Sequence, residues 1–346
     1  MKPVFTYTPA IRNGLESFLK TKRAVIEPSM KWQADFLDRL LSFTTTGKLL
    51  RGSLVCFTYE AFAQKPVSKS VIRAATALEL AHSGLLIHDD IMDNDKLRRG
   101  QPSFHEQYRS LGAHERLGQI DRFGTNMAMC AGDAALFLLF ELLVGCPATA
   151  VQLFTNQLVT TCAGQMEDLY LESVQVSPSK QAIYDLMETK TAAYTIALPL
   201  ILGASLAGQS GKILRQLEDI GIKAGVIFQI RDDELGVMGD TKHTGKPVGS
   251  DIIEGKRTLL RHHLLEACSL AERQKAEAIF GNPNAVQKDI SYVQALVSRY
   301  NITTLLNHEI DTLEAQAKRI INELSVPEKT KKTLVELIDF CDQRQS

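Results

Sequence analysis

Several features that would place a protein in a specialised class are scarce in this chain of 346 residues. Its formal net charge is −1, so no long-range attraction would bring it to nucleic acid or to an anionic membrane. Its six cysteines are scattered, with no CxxC pair and no metal-ligand spacing, which indicates small buried side chains in a reducing compartment. A hydrophobic content of 45% and a charged content of 23% are typical of a soluble globular protein.

Signals for export and for membrane insertion are also missing. Residues 1–14 lack the continuous apolar core of a signal peptide. Of the two most apolar stretches, 134–144 is too short to span a bilayer and contains Glu141, and 194–206 is interrupted by Pro199. We therefore expect a cytoplasmic protein with no membrane span and no nucleic-acid partner.

Apolar residues recur at helical spacing along almost the whole chain, and no hairpin or alternating strand is clear. Residues 71–92 are apolar nearly all round, which predicts a central buried helix. Polar composition predicts a looser stretch at 94–121, and the glycine-rich segment 236–255 predicts a long loop. The other helical or amphipathic stretches are 14–42, 53–63, 122–145, 148–172, a helix from near Pro178 to Lys190, 192–207, 211–235 and the chain from Lys256 onward. No repeat or linker interrupts this order, so we predict a single all-α domain, a large helical bundle over residues 1–346 around a central cavity.

The stretch 79–100 combines acids with arginines at the end of the predicted buried helix. Asp89 and Asp93 are four residues apart and share one helix face, and the adjacent Asp90 is costly to bury without a cation. Mg²⁺ binds through one or two carboxylates together with phosphates, and Arg98 and Arg99 provide guanidinium forks that match phosphate. A solvated acidic helix end is the plain alternative, but the combination favours a diphosphate site.

Two basic or titratable positions precede that stretch. Lys48 and Arg51, in the segment GKLLRG at 47–52, would share a face at a helix start, where cations and backbone N–H groups bind anions. An ordinary basic surface turn is the alternative. His82 lies seven residues before Asp89 on the same helix face, and a hydrogen-bonded core histidine is the alternative there.

The second half of the chain repeats the acidic pattern. The segment at 228–234, FQIRDDE, is another buried helix that ends in acids, Asp232 and Asp233. A glycine-rich loop with lysines follows it, and Lys190-Thr191 lies at a predicted helix break, where a plain helix cap is the alternative. Two such helices predict a cavity whose rim holds several divalent ions between carboxylates and phosphates.

These motifs together resemble those of the trans-isoprenyl diphosphate synthases (the polyprenyl synthetase family, with its geranylgeranyl and farnesyl diphosphate synthases), most clearly over residues 45–260. GKLLRG is similar to the family's GKxxRP, with Gly52 in place of proline and the charged pair intact. DDIMD at 89–93 is the short form of the first aspartate-rich motif. The further matches are RRG at 98–100, Gly132-Asp133, Gly164-Gln165 with Asp168, Lys190-Thr191 and the run 228–233.

The second aspartate-rich motif departs from the usual DDxxD of the family. It reads DDELG, so that Gly236 stands where the third aspartate would be. A DDxLG version followed by GD and TGKP also occurs in the family. We expect Asp232 to keep its metal and regard Asp240 as a candidate to supply the missing carboxylate.

The resemblance implies a role for each matching residue. Asp89 and Asp93 would hold two Mg²⁺ ions and Asp232 a third, with Mn²⁺ a possible substitute and with Asp90 and Asp233 in support. The residues around the allylic diphosphate would be Arg98, Lys190, Gln229, Lys246 and Lys256, and those that bind the diphosphate of isopentenyl diphosphate would be Lys48, Arg51, His82 and Arg99. The family also implies a homodimer.

The residue types fit the reaction that the family performs. Metals and lysines would neutralise the charge that develops on the leaving diphosphate. The hydroxyl of Thr191 and the amide of Gln229 would stabilise the allylic cation, which the double bond of isopentenyl diphosphate attacks. The departing diphosphate takes the proton, so no histidine or carboxylate is required as a general base.

Product length depends in this family on the residues before the first aspartates. Gly84 and Leu85, with Ala81 a turn deeper, would form the floor of the cavity, and none of them is aromatic. Each helix turn adds about 5.4 Å of depth, so we expect twenty carbons or more, with geranylgeranyl diphosphate as the best single assignment. Phe137 or Phe140 could close the tunnel from the side, and a farnesyl or a longer-chain product remains an alternative.

Three other functions fit parts of the pattern. A terpene cyclase shares the all-α scaffold and a DDxxD but binds no second diphosphate, so GKLLRG, His82 and Arg99 would have no use. A non-catalytic regulatory subunit of a heteromeric synthase usually loses an aspartate motif, and only Gly236 favours it. A helical protein without a ligand would leave the buried acids unexplained.

Overall fold

The computed structural model describes residues 1–27, 29–174, 177–239 and 249–343, and it confirms the all-α class. The regular elements are α1 (Lys2–Phe5), α2 (Thr8–Ala24), α3 (Lys31–Thr45), α4 (Leu50–Ala63), α5 (Lys69–Met92), β1 (Leu97–Arg98), β2 (Gln101–Pro102), α6 (Phe104–His114), α7 (Ile120–Leu143), α8 (Ala148–Ser173), α9 (Lys180–Leu186), a π-helix (Met187–Ala197), α10 (Leu198–Leu206), α11 (Lys212–Met238), α12 (Ser250–Glu254), α13 (Leu259–Ala267), α14 (Leu270–Ile279), α15 (Gln287–Arg299), α16 (Ile302–Glu323) and α17 (Glu328–Asp342).

The chain forms two compact units, and each is built from two separate stretches of sequence. Unit 1 contains Met1–Gln152 and Pro199–Ser210. Unit 2 contains Leu153–Leu198 and Gly211–Ser346. A single domain over residues 1–346 stays a prediction.

Unit 1 is organised around α5, and the prediction of a central buried helix over 71–92 is confirmed. Its N-terminus is capped by Ser68, whose hydroxyl accepts from the N–H of Val71 at 3.4 Å. Helix α7 approaches α5 closely because Gly132 has no side chain, since a Cβ there would lie 2.2 Å from Nε2 of His88. Gly203 in α10 does the same against α4, where a Cβ would lie 2.4 Å from the carbonyl oxygen of Val55.

Unit 2 is organised around α11, which packs along the π-helix. Gly221 and Gly225 lie four residues apart on α11, and a Cβ on them would come within 2.3 Å and 2.4 Å of the Cα atoms of Ala197 and Ala192. The two alanines are five residues apart, which is the hydrogen-bonding step of a π-helix. Two pairs of small residues thus let the two backbones touch.

The structure adds detail to two predicted stretches in the first half of the chain. The amphipathic stretch 14–42 is two helices, since α2 ends at Ala24 and α3 begins at Lys31; the sequence carries a proline at position 28, which has no N–H for a helix to use. The looser, polar stretch at 94–121 contains α6 and a hairpin, in which Leu97 pairs with Pro102. Arg99 and Gly100 both have positive φ, 54° and 72°, as a two-residue type I′ turn requires.

Two predictions in the second half also needed correction. The helix break at Lys190 does not exist, because α9, the π-helix and α10 follow one another without a gap. Pro199, the second residue of α10, lacks an N–H; directly before it, the N–H of Leu198 donates to the carbonyl of Ala193, five residues earlier. The predicted loop 236–255 is helical at both ends, up to Met238 and from Ser250.

Two helices, Lys69–Met92 and Ile120–Leu143, are long and apolar enough to cross a membrane by length and composition. In their most apolar windows, 67% of the first and 39% of the second is buried within the chain. Core helices of globular proteins pass the same test. The absence of a membrane span therefore stays a prediction.

Candidate active site

The first aspartate-rich motif occupies the C-terminal end of α5 in unit 1. Asp89 and Asp93 are one helical turn apart, and the N–H of Asp93 donates to the carbonyl of Asp89 at 2.9 Å. Both side chains are partly exposed, whereas Asp90 is completely buried. The motif therefore presents two carboxylates outward and keeps one inside.

Arg98 is the principal partner of these acids. It lies on β1, and its guanidinium forms a charge-assisted hydrogen bond from Nε to Asp90 Oδ1 at 2.6 Å. Its Nη2 also reaches Asp95 Oδ2 at 3.1 Å and Asp89 Oδ2 at 3.5 Å. The hairpin thus brings one cation onto the acidic helix end and fixes the direction of the aspartates.

The carboxylate of the buried Asp90 is only partly satisfied by Arg98. Burial raises the pKa of Asp90 to about 7, although the charge of Arg98 opposes the shift. Its Oδ2 atom is buried and has no hydrogen-bond partner within the described part of the chain. An orphaned carboxylate oxygen beside two outward carboxylates fits residues that surround a divalent cation.

The second group in unit 1 contains His82 and the arginines of GKLLRG and RRG, whose charges act on it. Arg51 is the second residue of α4, Lys48 lies exposed just before that helix, and Arg99 is in the hairpin turn. The guanidinium of Arg99 lies against Gly47, where a Cβ would be only 2.9 Å from its Nη1. That this group binds an anion stays a prediction.

His82 is buried within this group. Burial, and after it the charges of Arg51 and Arg99, lower the pKa of His82 well below its usual value. The ring is therefore neutral, and it would serve a diphosphate as a hydrogen-bond donor, with the arginines supplying the charge.

Glu79 is a member of this group that sequence reasoning missed. It is 3% exposed, and its Oε1 accepts from the backbone N–H of Gly52 at 2.7 Å. Burial raises the pKa of Glu79, and the Gly52 hydrogen bond and the charge of Arg51 act against that shift. The carboxylate therefore ties the first turn of α4 to α5, and it can do so because residue 52 is a glycine with an N–H instead of the family's proline.

Gly52→Pro should accordingly destabilise this chain, although proline is the family's residue. The substitution removes the donor to a buried carboxylate, which costs about 2 kcal/mol. Gly52→Ala is the matched control: it adds the same Cβ, 3.0 Å from the carbonyl oxygen of Ala75, but keeps the N–H. Urea unfolding should show the proline variant as the less stable of the two, and equal stability would mean that the Glu79 hydrogen bond contributes nothing.

The second aspartate-rich motif lies at the C-terminal end of α11 in unit 2. Asp233 is buried and accepts from Nε2 of Gln229 at 2.6 Å, while Asp232 is half-buried. Burial, and then the charges of Asp251 and Asp232, raise the pKa of Asp233 well above its usual value. The family resemblance did not single out Asp251, which is the second residue of α12.

One predicted lysine, Lys256, lies near this motif within the described residues. Lys256, between α12 and α13, has its Nζ 3.0 Å from Glu254 Oε2 and 3.8 Å from Asp251 Oδ1. Lys246 and Asp240 lie outside the described residues. Thr258 then caps α13, since its hydroxyl accepts from the N–H of Arg261 at 3.2 Å.

Lys190 and Thr191 lie within the π-helix of unit 2, both half-buried. The ammonium group of Lys190 forms an ion pair with Asp168 of α8. Gly164, one turn earlier on α8, allows this approach, because a Cβ there would lie 2.6 Å from the backbone nitrogen of Lys190. π-Helical turns occur frequently at functional sites, and this one carries both predicted residues.

The residues predicted to set product length belong to the packing of unit 1. Ala81 is fully buried and Leu85 is half-buried. A Cβ on Gly84 would lie 3.0 Å from the side chain of Leu136 on α7, so a larger residue at 84 would have to displace that leucine. Phe137 and Phe140, also on α7, are 69% and 58% exposed.

The described residues do not form a metal site without substrate or water. Within residues 1–27, 29–174, 177–239 and 249–343, no three His, Cys, Asp or Glu side chains form a group that could hold a metal ion. Mg²⁺ in proteins is usually bound by one or two carboxylates with water and substrate phosphates. The orphaned oxygen of Asp90 and the outward carboxylates of Asp89 and Asp93 fit that mode of binding.

Comparison with known proteins agrees with these features. The family model of polyprenyl synthetases matches residues 31–297. A geranylgeranyl diphosphate synthase of Sulfolobus acidocaldarius is 31% identical over 85% of this chain and 87% of its own, and a short chain isoprenyl diphosphate synthase of Methanocaldococcus jannaschii is 32% identical over 81% and 82%. A crystal structure of geranylgeranyl pyrophosphate synthase from Corynebacterium glutamicum, complexed with isoprenyl diphosphate and magnesium, covers 99% of both chains with a TM-score of 0.92 and 30% identity.

The family match covers well over half of the chain, and the two aspartate-rich helix ends carry the residues that the resemblance required. The fold extends the likeness over nearly the whole length. The chain therefore belongs to the polyprenyl synthetase family.

Proposed function

We propose that the protein is a trans-prenyltransferase that condenses isopentenyl diphosphate with an allylic diphosphate, with geranylgeranyl diphosphate as the main product. The observation that carries the proposal is the pair of buried helices, α5 and α11, that each end in adjacent aspartates within this fold. A binding protein would have no need of two such ends together with a separate cluster of arginines.

The acids would hold the metal and the basic residues would hold the substrates. Asp89 and Asp93 would bind two Mg²⁺ ions and Asp232 a third, with Mn²⁺ as a substitute. Bound Mg²⁺ neutralises charge on the diphosphate as it leaves. Arg98, through its bonds to Asp90 and Asp95, keeps the acidic helix end in place.

The remaining residues would orient the two substrates and protect the cation. Lys190, Gln229, Lys246 and Lys256 would surround the allylic diphosphate with Arg98, and Lys48, Arg51, His82 and Arg99 would bind isopentenyl diphosphate. Cations aimed at the leaving diphosphate stabilise the transition state without reorganising. The Thr191 hydroxyl and the Gln229 amide would provide dipoles for the allylic carbon as its C–O bond breaks, and the departing diphosphate would accept the proton lost afterwards.

A twenty-carbon product is supported by small residues and by relatives. Ala81, Gly84 and Leu85 on α5 include no aromatic side chain. The relative from Sulfolobus acidocaldarius and the structure from Corynebacterium glutamicum are both named geranylgeranyl synthases. Leu136, which packs on Gly84, is then a further side chain near the proposed floor.

The test is a product assay on the purified chain. The protein is incubated with Mg²⁺, isopentenyl diphosphate and one allylic primer of five, ten or fifteen carbons in each reaction. The products are sized by mass spectrometry. A main product of twenty carbons supports the proposal, and a fifteen-carbon stop would keep the enzyme class but contradict the assigned length. No condensation with any primer, in protein shown by circular dichroism to be helical, would favour a regulatory subunit.

The family's homodimer has a candidate interface on α7. Apolar side chains at Met129, Phe137 and Phe140 follow helical spacing on one face of that helix and are exposed in the single chain, as is Val144 directly after it. Contiguous exposed apolar surface of this kind usually marks an interaction site. We expect a second copy of the chain to cover this surface. We also expect the protein to be cytoplasmic.

Negative charges introduced on this face of α7 should therefore dissociate the dimer into monomers. Sedimentation equilibrium on the double variant Phe137→Glu, Phe140→Glu should give half the mass of the unmodified chain, because two carboxylates would be buried without partners. Leu270→Glu, at an apolar residue exposed on α14, is the control and should leave the mass unchanged. A double variant that stays dimeric would place the interface elsewhere.

A further inference from the structure

A small cavity that is rich in arginine lies in unit 2. Its volume is about 70 Å³, several times the space that one water molecule needs. Helices α9, α13 and α14 contribute to its walls, and no motif aspartate in the described part of the chain lines it. The lining residues include Pro178, Ile183, Leu265 and the three arginines Arg257, Arg261 and Arg273.

Arg261 is the buried cation of this cavity. It is 7% exposed. Its Nη1 donates to the carbonyl of Gly255 at 2.6 Å, and its guanidinium carbon lies 4.6 Å from the centroid of the Phe280 ring. Its Nε atom is buried and has no hydrogen-bond partner among the residues that the structure describes. A buried donor left unpaired is costly, because it has lost water and gained nothing in return.

The charge of Arg261 is not neutralised by the chain either. Burial, and after it the charge of Arg257, lower the pKa of Arg261 to about 10, while the charge of Glu277 opposes the shift. The guanidinium is therefore still protonated at pH 7. Within the described residues no carboxylate forms an ion pair with it. A buried cation in this state is unfavourable, and an anion in the cavity would relieve it.

Arg257 adds a second positive charge to the same cavity. Its Nε donates to the carbonyl of Leu171 at 3.2 Å, and its Nη2 donates to the carbonyl of Val174 at 2.6 Å, at the C-terminal end of α8. Both acceptors are uncharged carbonyl groups. They hold the guanidinium in place and leave its full charge in position to attract an anion.

Two glutamates also line the cavity, but they lie on its solvent side. Glu266 and Glu277 are both exposed, and Oε1 of Glu266 accepts from Nη2 of Arg273 at 3.2 Å. Water and salt screen exposed charges much more strongly than buried ones. The buried part of the lining is therefore positive, although acids stand at its mouth.

We propose that this cavity binds a small oxyanion of the size of inorganic phosphate. Arg261 would donate its unpaired Nε–H to the anion, and Arg257 would add a second charge. Guanidinium groups match phosphate in both geometry and charge. A volume of about 70 Å³ has room for one such ion but not for a twenty-carbon chain. The site uses none of the residues assigned to the two diphosphate substrates, so the inference does not rest on the proposed function.

The test measures phosphate binding to the full chain by isothermal titration calorimetry in the presence of a metal chelator. Arg261→Gln should weaken binding at this site by about tenfold or more, because a charge-assisted hydrogen bond is lost. Phosphate should also raise the Tm of the unmodified chain more than that of the variant. A purely structural role of Arg261 would lower Tm at every phosphate concentration and leave that increment unchanged.

A pair of exposed glutamates gives a second comparison that leaves the core intact. Glu277→Gln removes an acid that acts on Arg261, so it should tighten phosphate binding by about threefold. Glu323→Gln, exposed at the end of α16 and not among the lining residues, is the matched control and should leave the affinity unchanged. If Arg261→Gln does not fold, this pair decides, and equal affinities in the two variants would overturn the inference.

Two further results would contradict the site. One is an unchanged phosphate affinity in folded Arg261→Gln. The other is loss of phosphate binding in Arg51→Gln instead, which would place the anion in the basic group that contains His82. The product assay is independent of these titrations: its failure would remove the proposed function and leave the phosphate site to be decided by calorimetry.

Discussion

Asp89→Asn is expected to lower kcat/KM by about 10³-fold, equivalent to about 4 kcal/mol of transition-state stabilisation. Asn keeps the shape of the side chain and can still accept from Arg98, which lies 3.5 Å from Oδ2. It removes the negative charge that would bind Mg²⁺ together with Asp93. The change therefore separates the carboxylate's charge from its packing.

The stability of the variant should show that the loss is chemical. The charge of Asp89 is one of the causes that raise the pKa of the buried Asp90, so its removal relieves a like-charge contact while it weakens one bond to Arg98. In the presence of a metal chelator, the free energy of urea unfolding of Asp89→Asn should agree with that of the unmodified chain within about 1 kcal/mol. Initial rates over a range of Mg²⁺ concentrations should show a higher Mg²⁺ requirement.

Asp121→Asn provides the matched control for charge. Asp121 is in the first turn of α7 and its side chain is 80% exposed, so the same substitution there should leave kcat/KM within about twofold, as for most surface changes. If Asp89→Asn kept more than a tenth of the activity, Asp89 would not be a metal ligand.

Gly225→Ala should destabilise the chain by about 3 kcal/mol. The added methyl group would lie 2.4 Å from Cα and 2.5 Å from Cβ of Ala192, and backbone atoms cannot move aside as a flexible side chain can. The π-helix would have to shift away from α11. Lys190 and Thr191 directly precede Ala192, so kcat/KM should fall as well.

The control for this prediction is another glycine-to-alanine change. Gly118 lies between α6 and α7, has nothing within 4 Å of a Cβ and does not have a positive φ. Gly118→Ala should be neutral or slightly stabilising, because it reduces the freedom of the unfolded chain. Thermal unfolding of both variants measures the difference, and equal melting temperatures would contradict the close packing of α11 on the π-helix.

Local pattern was sufficient for most of the fold. Apolar spacing predicted α5 and α11 within a few residues, since a buried helix needs apolar side chains on nearly every face. It did not predict the hairpin at 97–102 or the π-helix. The hairpin depends on two residues with positive φ, Arg99 and Gly100, and the π-helix on the hydrogen-bond step of the backbone. A window of average hydrophobicity registers neither.

Most residues of the candidate site could likewise be predicted from short, contiguous stretches of sequence. The adjacent aspartates of each motif, the basic pairs that accompany them and the resemblance of these short motifs to a known family were all contained in contiguous stretches. The contacts of Glu79, Asp95 and Asp251 were not, because the neighbour of each is brought near only by folding: Gly52, Arg98 and Gly236 respectively.

The sequence by itself thus determined the all-α class, the two aspartate-ended helices and the family to which the chain belongs, because side-chain periodicity and contiguous motifs express local interactions. Only the tertiary structure decided how this chain accommodates its two departures from the family pattern. At Gly52 a retained N–H meets a buried carboxylate, and at Gly236 an absent Cβ leaves room for another. Both depend on contacts between residues distant along the chain, which no local pattern encodes.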